Sequence, residues 1–185
     1  MAGADTAPMV WIDCEMTGLD PQQDTIIEIA CIVTDAELNV LERGDDIVIH
    51  QSQQVMDAMG DWCKEHHGHS GLTQSVLAST VTMAEAEASV LALVKRHCPR
   101  PRTGVLAGNS VHADRAFLSR YMPKLTAYLH YRIIDVSTVK ELARRWNPRV
   151  LAAAPAKKTA HRALDDIAES IEELRHYREQ LFVVD

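Results

Sequence analysis

No stretch of this 185-residue sequence is apolar for long enough to span a bilayer, and it has no internal repeat or low-complexity tract. Basic residues are scarce as well. Nineteen Lys and Arg stand against 26 Asp and Glu, giving a formal charge of -7, the wrong sign for a protein that coats long nucleic acid. Any polyanionic substrate is therefore expected to be short, or held through metal ions. The four cysteines, Cys14, Cys31, Cys63 and Cys98, include no Cys-x-x-Cys pair and lie on apolar segments, as reduced core thiols of a cytosol-like compartment do. Residues 1–8 have no cationic n-region, apolar h-region or arginine, so they read as a disordered leader rather than a signal or transit peptide.

What is present points to one domain, 1–185, since a chain 46% hydrophobic at this length can bury one substantial core. Its first ordered stretch, Met9 to Gly18, is an apolar strand holding two carboxylates one residue apart, Asp13 and Glu15. Alternate strand residues share a face, so these acids point the same way, about 6.6 Å apart along the strand. Two such acids suit one hard divalent cation, whose charge would offset burying them together. A surface strand with both acids facing water fits the local pattern too. Thr25 to Asp35 is apolar on both faces and predicts a central strand, with Glu28 as an unexplained acid. Asp35 to Asn39 has hairpin chemistry, and Val40 to His50 predicts a third, more polar strand near an edge. Three antiparallel strands in succession follow.

Short helical segments are expected from Gln53 to Ser79, then an amphipathic helix from Thr82 to His97 with Glu85 near its start. Gly104 to Gly108 predicts a buried strand leading into a helix from about Val111 to Met122. On that helix Asp114 is in phase with Phe117, Leu118 and Tyr121. It serves either the helix N-terminus, which favours carboxylates in its first turn, or a metal site. Tyr131 to Val136 predicts a further strand, Ser137 to Trp146 a helix, and residues 147–159 a loop or lid. The last helix, from about Ala163 to Leu181, turns Asp166 inward and Asp165 outward. His161 precedes it. Among nine histidines one alone is weak evidence of catalysis, but four inward acids drawn from three separate elements make little sense in an acidic chain unless metal lies between them.

Three segments, taken in order, resemble the motifs of the DEDD exonuclease superfamily: Val10 to Asp20 around Asp13 and Glu15, Gly108 to Asp114, and His161 to Asp166, the last in its histidine form. The similarity extends through Ser70-Gly71-Leu72, His130-Tyr131-Arg132 and Glu141 to Trp146, matching the oligoribonuclease family and, at Asp61 to Gly68, its animal-type members. The resemblance implies an α/β, ribonuclease H-like fold: a mixed sheet, three antiparallel strands then two further strands, flanked by helices on both faces. It implies 3′-to-5′ hydrolysis of short single-stranded RNA, dinucleotides above all, to nucleoside 5′-monophosphates in the cytoplasm, the mitochondrion or both. Asp13, Glu15, Asp114 and Asp166 would hold two divalent cations, Mg²⁺ or Mn²⁺, roughly 4 Å apart, with Asp13 bridging them and His161 as general base. Leu19 would wedge against the bases and Trp62 stack on one, while Ser110, Arg132 and Ser137 cap the 5′ phosphate. His130 and Tyr131 would reach across a homodimer; taken alone, Tyr131 fits a core or interface aromatic equally well. Two other readings remain: a DNA-trimming exonuclease of the same superfamily, and a zinc-binding interaction module on Cys63, His66, His67 and His69.

Overall fold

The structure is a computed structural model that describes residues 7–156 and 162–182. Most of the expected leader, the end of the 147–159 segment and His161 lie outside the described residues.

Strand β1 (Met9–Met16) pairs antiparallel with β2 (Ile26–Thr34). β2 is buried at all nine positions, as a strand apolar on both faces must be. Its other edge takes β3 (Val40–Arg43) and then β4 (Ile47–Val48), both antiparallel. Helices α1 (Gln53–Asp57), α2 (Asp61–His69), α3 (Leu72–Ala78) and α4 (Met83–His97) carry the chain to β5 (Val105–Gly108), parallel to β1. Helices α5 (His112–Tyr121) and α6 (Pro123–Tyr128) then lead to β6 (Ile133–Asp135), parallel to β5. Helices α7 (Val136–Trp146), α8 (Pro148–Ala152) and α9 (Ala163–Leu181) follow. The order β3-β2-β1-β5-β6 joins an antiparallel half to a parallel one, the mixed sheet that was expected.

Side-chain alternation sorts the core into two layers. Val10, Ile12 and Cys14 of β1 and Ile29, Cys31 and Val33 of β2 pack with Ala86, Val90 and Val94 of α4 and with Phe117 of α5. Trp11, Ala30 and Ile32 meet Val136 and Ala143 of α7 and Ile167, Ile171 and Tyr177 of α9 on the opposite face. Each buried aliphatic side chain contributes about 1.5–3 kcal/mol, so α9 is held mainly by its apolar stripe. Asp13 and Glu15 share Trp11's parity and therefore look toward α9. A capping box starts α4: Thr82 Oγ1 accepts from the Glu85 amide at 3.3 Å and Glu85 Oε2 from the Thr82 amide at 2.8 Å.

Two expectations change. The third strand, expected unbroken to His50, is interrupted between β3 and β4. Gly44 comes so close to β2 that a Cβ there would lie 2.9 Å from the Cys31 carbonyl oxygen, and its amide donates to that oxygen at 2.9 Å. The expected 147–159 loop contains α8, because Pro148 sits at the first helical position, where a missing N–H costs nothing. Among the described residues no single helix is long and apolar enough to cross a membrane.

Candidate active site

β1 ends beside the start of α9, and there three acids converge. One carboxylate oxygen each from Asp13, Glu15 and Asp166 lie within 4.8 Å of one another. Helical phase explains the choice of acid on α9: Asp166 turns inward, whereas exposed Asp165 faces Arg43 at 4.0 Å. Asp114 stands apart from this cluster. It is 6% exposed in the first turn of α5, and its Oδ1 accepts the Cys14 amide at 3.0 Å, between the two acids of β1. Burial pushes the Asp114 carboxyl up to about 7, against the pull of its backbone hydrogen bonds.

Glu15 is under clear electrostatic strain. Burial first, then the charges of Glu28, Asp166 and Asp114, push its carboxyl up to about 8, with Arg162 opposing. Oxygen donors crowded this closely fit a hard divalent cation and little else. A titration follows from this. At neutral pH Glu15 carries a proton that a cation must displace, so cation binding should release protons at pH 7 and tighten as pH rises toward 8. The folded value lies above the unfolded one, so the proton stabilises the metal-free fold fully below about pH 4.3 and less as pH rises through about 8. Thermal melts of chelated protein should therefore drop between about pH 5 and pH 8 and level off above that. A flat or rising melting temperature would contradict the arrangement.

Glu28, unexplained in the sequence, pairs with Glu15 across β1 and β2 and is fully buried. Arg162 donates to it at 3.1 Å, the Ala163 amide at 3.5 Å, and the Arg162 guanidinium also lies 3.7 Å from Asp46. Glu28 thus fastens the start of α9, which carries Asp166, to the central strand. His67 is a second functional neighbour that sequence reasoning missed, having set it among crowded histidines. It is buried, its Nε2 donates to the Met16 carbonyl at 2.9 Å, and its Nδ1 lies 3.9 Å from Glu15 Oε2.

A cavity of about 500 Å³ opens beside Glu15, lined by Met16, Leu19, Trp62, Cys63 and His67. Leu19 is 85% exposed and Trp62 69% exposed at its mouth. The Trp62 ring stacks on His66 at 4.5 Å, with 12° between the planes. Leu19 is presented by a rigid turn. Asp24 accepts from Thr17 Oγ1 at 3.1 Å and from the Asp20 amide at 2.9 Å. It fills the space beside Gly18 so fully that a Cβ there would come within 2.4 Å. Against the zinc module, Trp62 and Met16 engage His66 and His67, and the possible metal-binding cluster among the described residues is the acidic one.

Across the sheet edge, Ser110 takes up φ of 51° directly after Asn109. Its amide donates to Asp135 Oδ1 at 2.9 Å and to Ser137 Oγ at 3.0 Å, and the two serine hydroxyls lie 3.2 Å apart. Asp135 also caps α7 through the Ser137 amide at 2.9 Å. Two hydroxyls thus lie together beside the start of α7, whose Ser137 amide is taken by the Asp135 carboxylate. Arg132 just precedes β6, its guanidinium 5.4 Å from the Tyr131 ring centroid, and Tyr131 stacks on His130 at 4.5 Å. Tyr131 is 69% exposed, so it is not a core aromatic in this chain.

An exonuclease family model, RNase_T, matches residues 10–174. The chain is 56% identical over 174 residues to the mitochondrial oligoribonucleases of Bos taurus and Homo sapiens, covering 94% of its own length and 73% of theirs. It is 57% identical over 175 residues to the oligoribonuclease of Rhodococcus jostii, covering 95% and 88%. Among solved structures, exonuclease I from Methylocaldum szegediense superposes with a TM-score of 0.72 at 17% identity. The E. coli exonuclease I complex with single-stranded DNA gives 0.74 at 18%. Both matches cover 95% of this chain and only 41% of the larger enzyme, so they speak to the fold alone. With its ribonuclease H-like sheet and its three-acid cluster at the end of β1, the chain belongs to the oligoribonuclease family of exonucleases.

Proposed function

We propose that this protein hydrolyses short single-stranded RNA from the 3′ end, dinucleotides fastest, releasing nucleoside 5′-monophosphates. The observation that carries this reading is that Glu15 belongs both to the carboxylate cluster and to the wall of the Leu19–Trp62 cavity. Whatever nucleoside occupies the cavity therefore has its phosphodiester beside the acids.

Asp13, Glu15 and Asp166 would hold one divalent cation, Mg²⁺ or Mn²⁺, and Asp13 with Asp114 a second, which matches their all-oxygen donor set. When bound, such ions lower the pKa of water and stabilise the departing 3′ oxygen. The remaining work falls to the chain. Trp62 stacks on a base, which contributes about 1–3 kcal/mol without reading its identity, and Leu19 separates the two bases. Ser110, Ser137 and Arg132 bind the 5′ phosphate and so exclude a longer strand. His161, just ahead of α9, takes the proton of the attacking water. An acidic protein can manage this, because one or two phosphates need no extended basic groove.

In a homodimer, His130 and Tyr131 close the partner's cavity. The exposed Tyr131, together with exposed Leu142 and Trp146 on α7, supports such a contact. The free thiols at Cys14, Cys31, Cys63 and Cys98 agree with a reducing compartment, cytosolic or mitochondrial.

The test is a length series: 5′-labelled RNAs of two to ten nucleotides and matched DNAs, with Mg²⁺ or Mn²⁺. The dinucleotide should be cleaved fastest and RNA ahead of DNA; equal rates at all lengths would remove the phosphate cap. Run on Tyr131→Ala, the same series should show slower dinucleotide turnover, and a fully active monomer would remove the role of Tyr131 in trans.

A further inference from the structure

We propose that Glu173 is a positioning residue that braces the 5′-phosphate cap against the metal-binding helix, fixing the span between them and with it the preference for dinucleotides. This rests on the cap proposed above.

Glu173 lies on α9 seven residues after Asp166, two turns along the same face. Although charged, it is only 3% exposed. Its partners come from three elements. Asn109 Nδ2, at the end of β5, donates to Oε2 at 3.0 Å; the Tyr177 hydroxyl, on α9, donates to Oε1 at 3.1 Å; and Lys140 Nζ, on α7, lies 3.1 Å from Oε1. Two of these partners lie close to the cap along the chain. Asn109 directly precedes Ser110, and Lys140 stands three residues after Ser137, one turn along α7.

A buried carboxylate paired with a half-buried ammonium is a poor choice if the fold alone needed fastening, since apolar side chains of similar size usually do as well. What the charged brace adds is direction. A carboxylate only accepts hydrogen bonds, so it dictates that the Asn109 amide turns its NH₂ toward α9. Asn109 Oδ1 is left buried and without a hydrogen-bond partner among the described residues. That oxygen is left unsatisfied while the NH₂ is used, as expected if the side chain is kept for its hold on Glu173. The Ser110 backbone, in the left-handed region, then starts from a fixed point. Asp166 and Ser110 are thus tied to the same short rigid stretch of α9, and their separation is set by that helix rather than by loops.

The test uses Glu173→Gln, which keeps the shape and removes the charge, and Lys140→Met, which removes its partially exposed partner and leaves α9 untouched. Ser110→Ala serves as the cap control. Leu93→Ala, in the opposite core layer, is a control for simple destabilisation. For each, rates are compared on a 5′-phosphorylated dinucleotide, the same dinucleotide lacking that phosphate, and a pentanucleotide, with Mg²⁺ affinity measured separately by calorimetry. Glu173→Gln and Lys140→Met should raise KM for the phosphorylated dinucleotide on the order of ten- to a hundredfold, the scale of a small misplacement. The other two substrates and Mg²⁺ affinity should change little. If all three substrates slow by one factor, as Leu93→Ala should make them do, the brace is only structural and the proposal falls. If Ser110→Ala abolishes the phosphate preference and both brace variants keep it, the cap stands and the brace does not. If Ser110→Ala itself leaves the preference intact, the cap reading fails and takes the brace with it. Should Glu173→Gln fail to fold, Lys140→Met decides alone.

Discussion

Asp13→Ala and Asp166→Ala should each reduce kcat/KM on a dinucleotide by about 10³-fold or more, while leaving the metal-free protein no less stable than the parent. The size follows from what is removed. A bound divalent cation contributes several kcal/mol of charge stabilisation to phosphodiester cleavage, and each 1.36 kcal/mol is tenfold in rate. The unchanged or raised stability follows from the geometry, since three carboxylates have oxygens within 4.8 Å of one another and burial already holds a proton on Glu15. Removing one acid relieves repulsion in the metal-free state. Added Mg²⁺ or Mn²⁺ should therefore raise the melting temperature of the parent by preferential binding to the folded state, and should do so far less in either variant. A variant that retained turnover, or that lost activity only because it unfolded, would refute the assignment of these acids as metal ligands.

His161→Ala should lower kcat by about 10²–10⁴-fold at neutral pH, the usual contribution of a positioned general base. The two experiments separate the roles. A ligand variant loses the metal-dependent rise in melting temperature together with activity, whereas His161→Ala should keep the rise and lose turnover. Near-normal turnover in His161→Ala would end its assignment as the base.

The parts of the fold that could be read from sequence are those whose signal is local and periodic. β1 and β2 carry period-two or continuous apolar patterns, α4 a capping box, and α9 a clean stripe that selected Asp166 over Asp165. What escaped depended on contacts distant along the chain. The break between β3 and β4 is forced by the approach of Gly44 to Cys31 and Leu93. The start of α8 lay behind a proline that resembles a breaker until the helix is seen to begin on it.

The site divides the same way. Asp13, Glu15 and Asp166 were legible from their faces. The split role of Asp114 could not be resolved, because nothing in the sequence reveals that its carboxylate is engaged by the Cys14 amide, 100 residues away. Glu28 made sense only once Arg162 was seen beside it, and His67 only once its ring was seen between Met16 and Glu15. Ser110, Arg132 and Ser137 came from resemblance; the knot of the two serines with Asp135 is a tertiary fact.

The Gly18 turn has an evolutionary consequence. Leu19 owes its placement to hydrogen bonds within residues 17–25 and to two polar ties from α5, Arg120 Nη1 to Gln22 Oε1 at 2.8 Å and the Tyr121 hydroxyl to the Asp24 carbonyl at 2.6 Å. Only the Tyr121 tie touches an apolar layer, through a ring that packs beside Phe117 on the α4–α5 side of the sheet. With Leu19 in its proposed role as the wedge, substrate choice and folding stability are therefore largely separable traits in this molecule. Most of the core can drift through volume-conserving exchanges without moving Leu19, whereas a side chain at Gly18 would have to displace the Asp24 carboxylate that holds the turn. A lineage acquiring a longer substrate would be expected to change this small turn first and leave the sheet as it is.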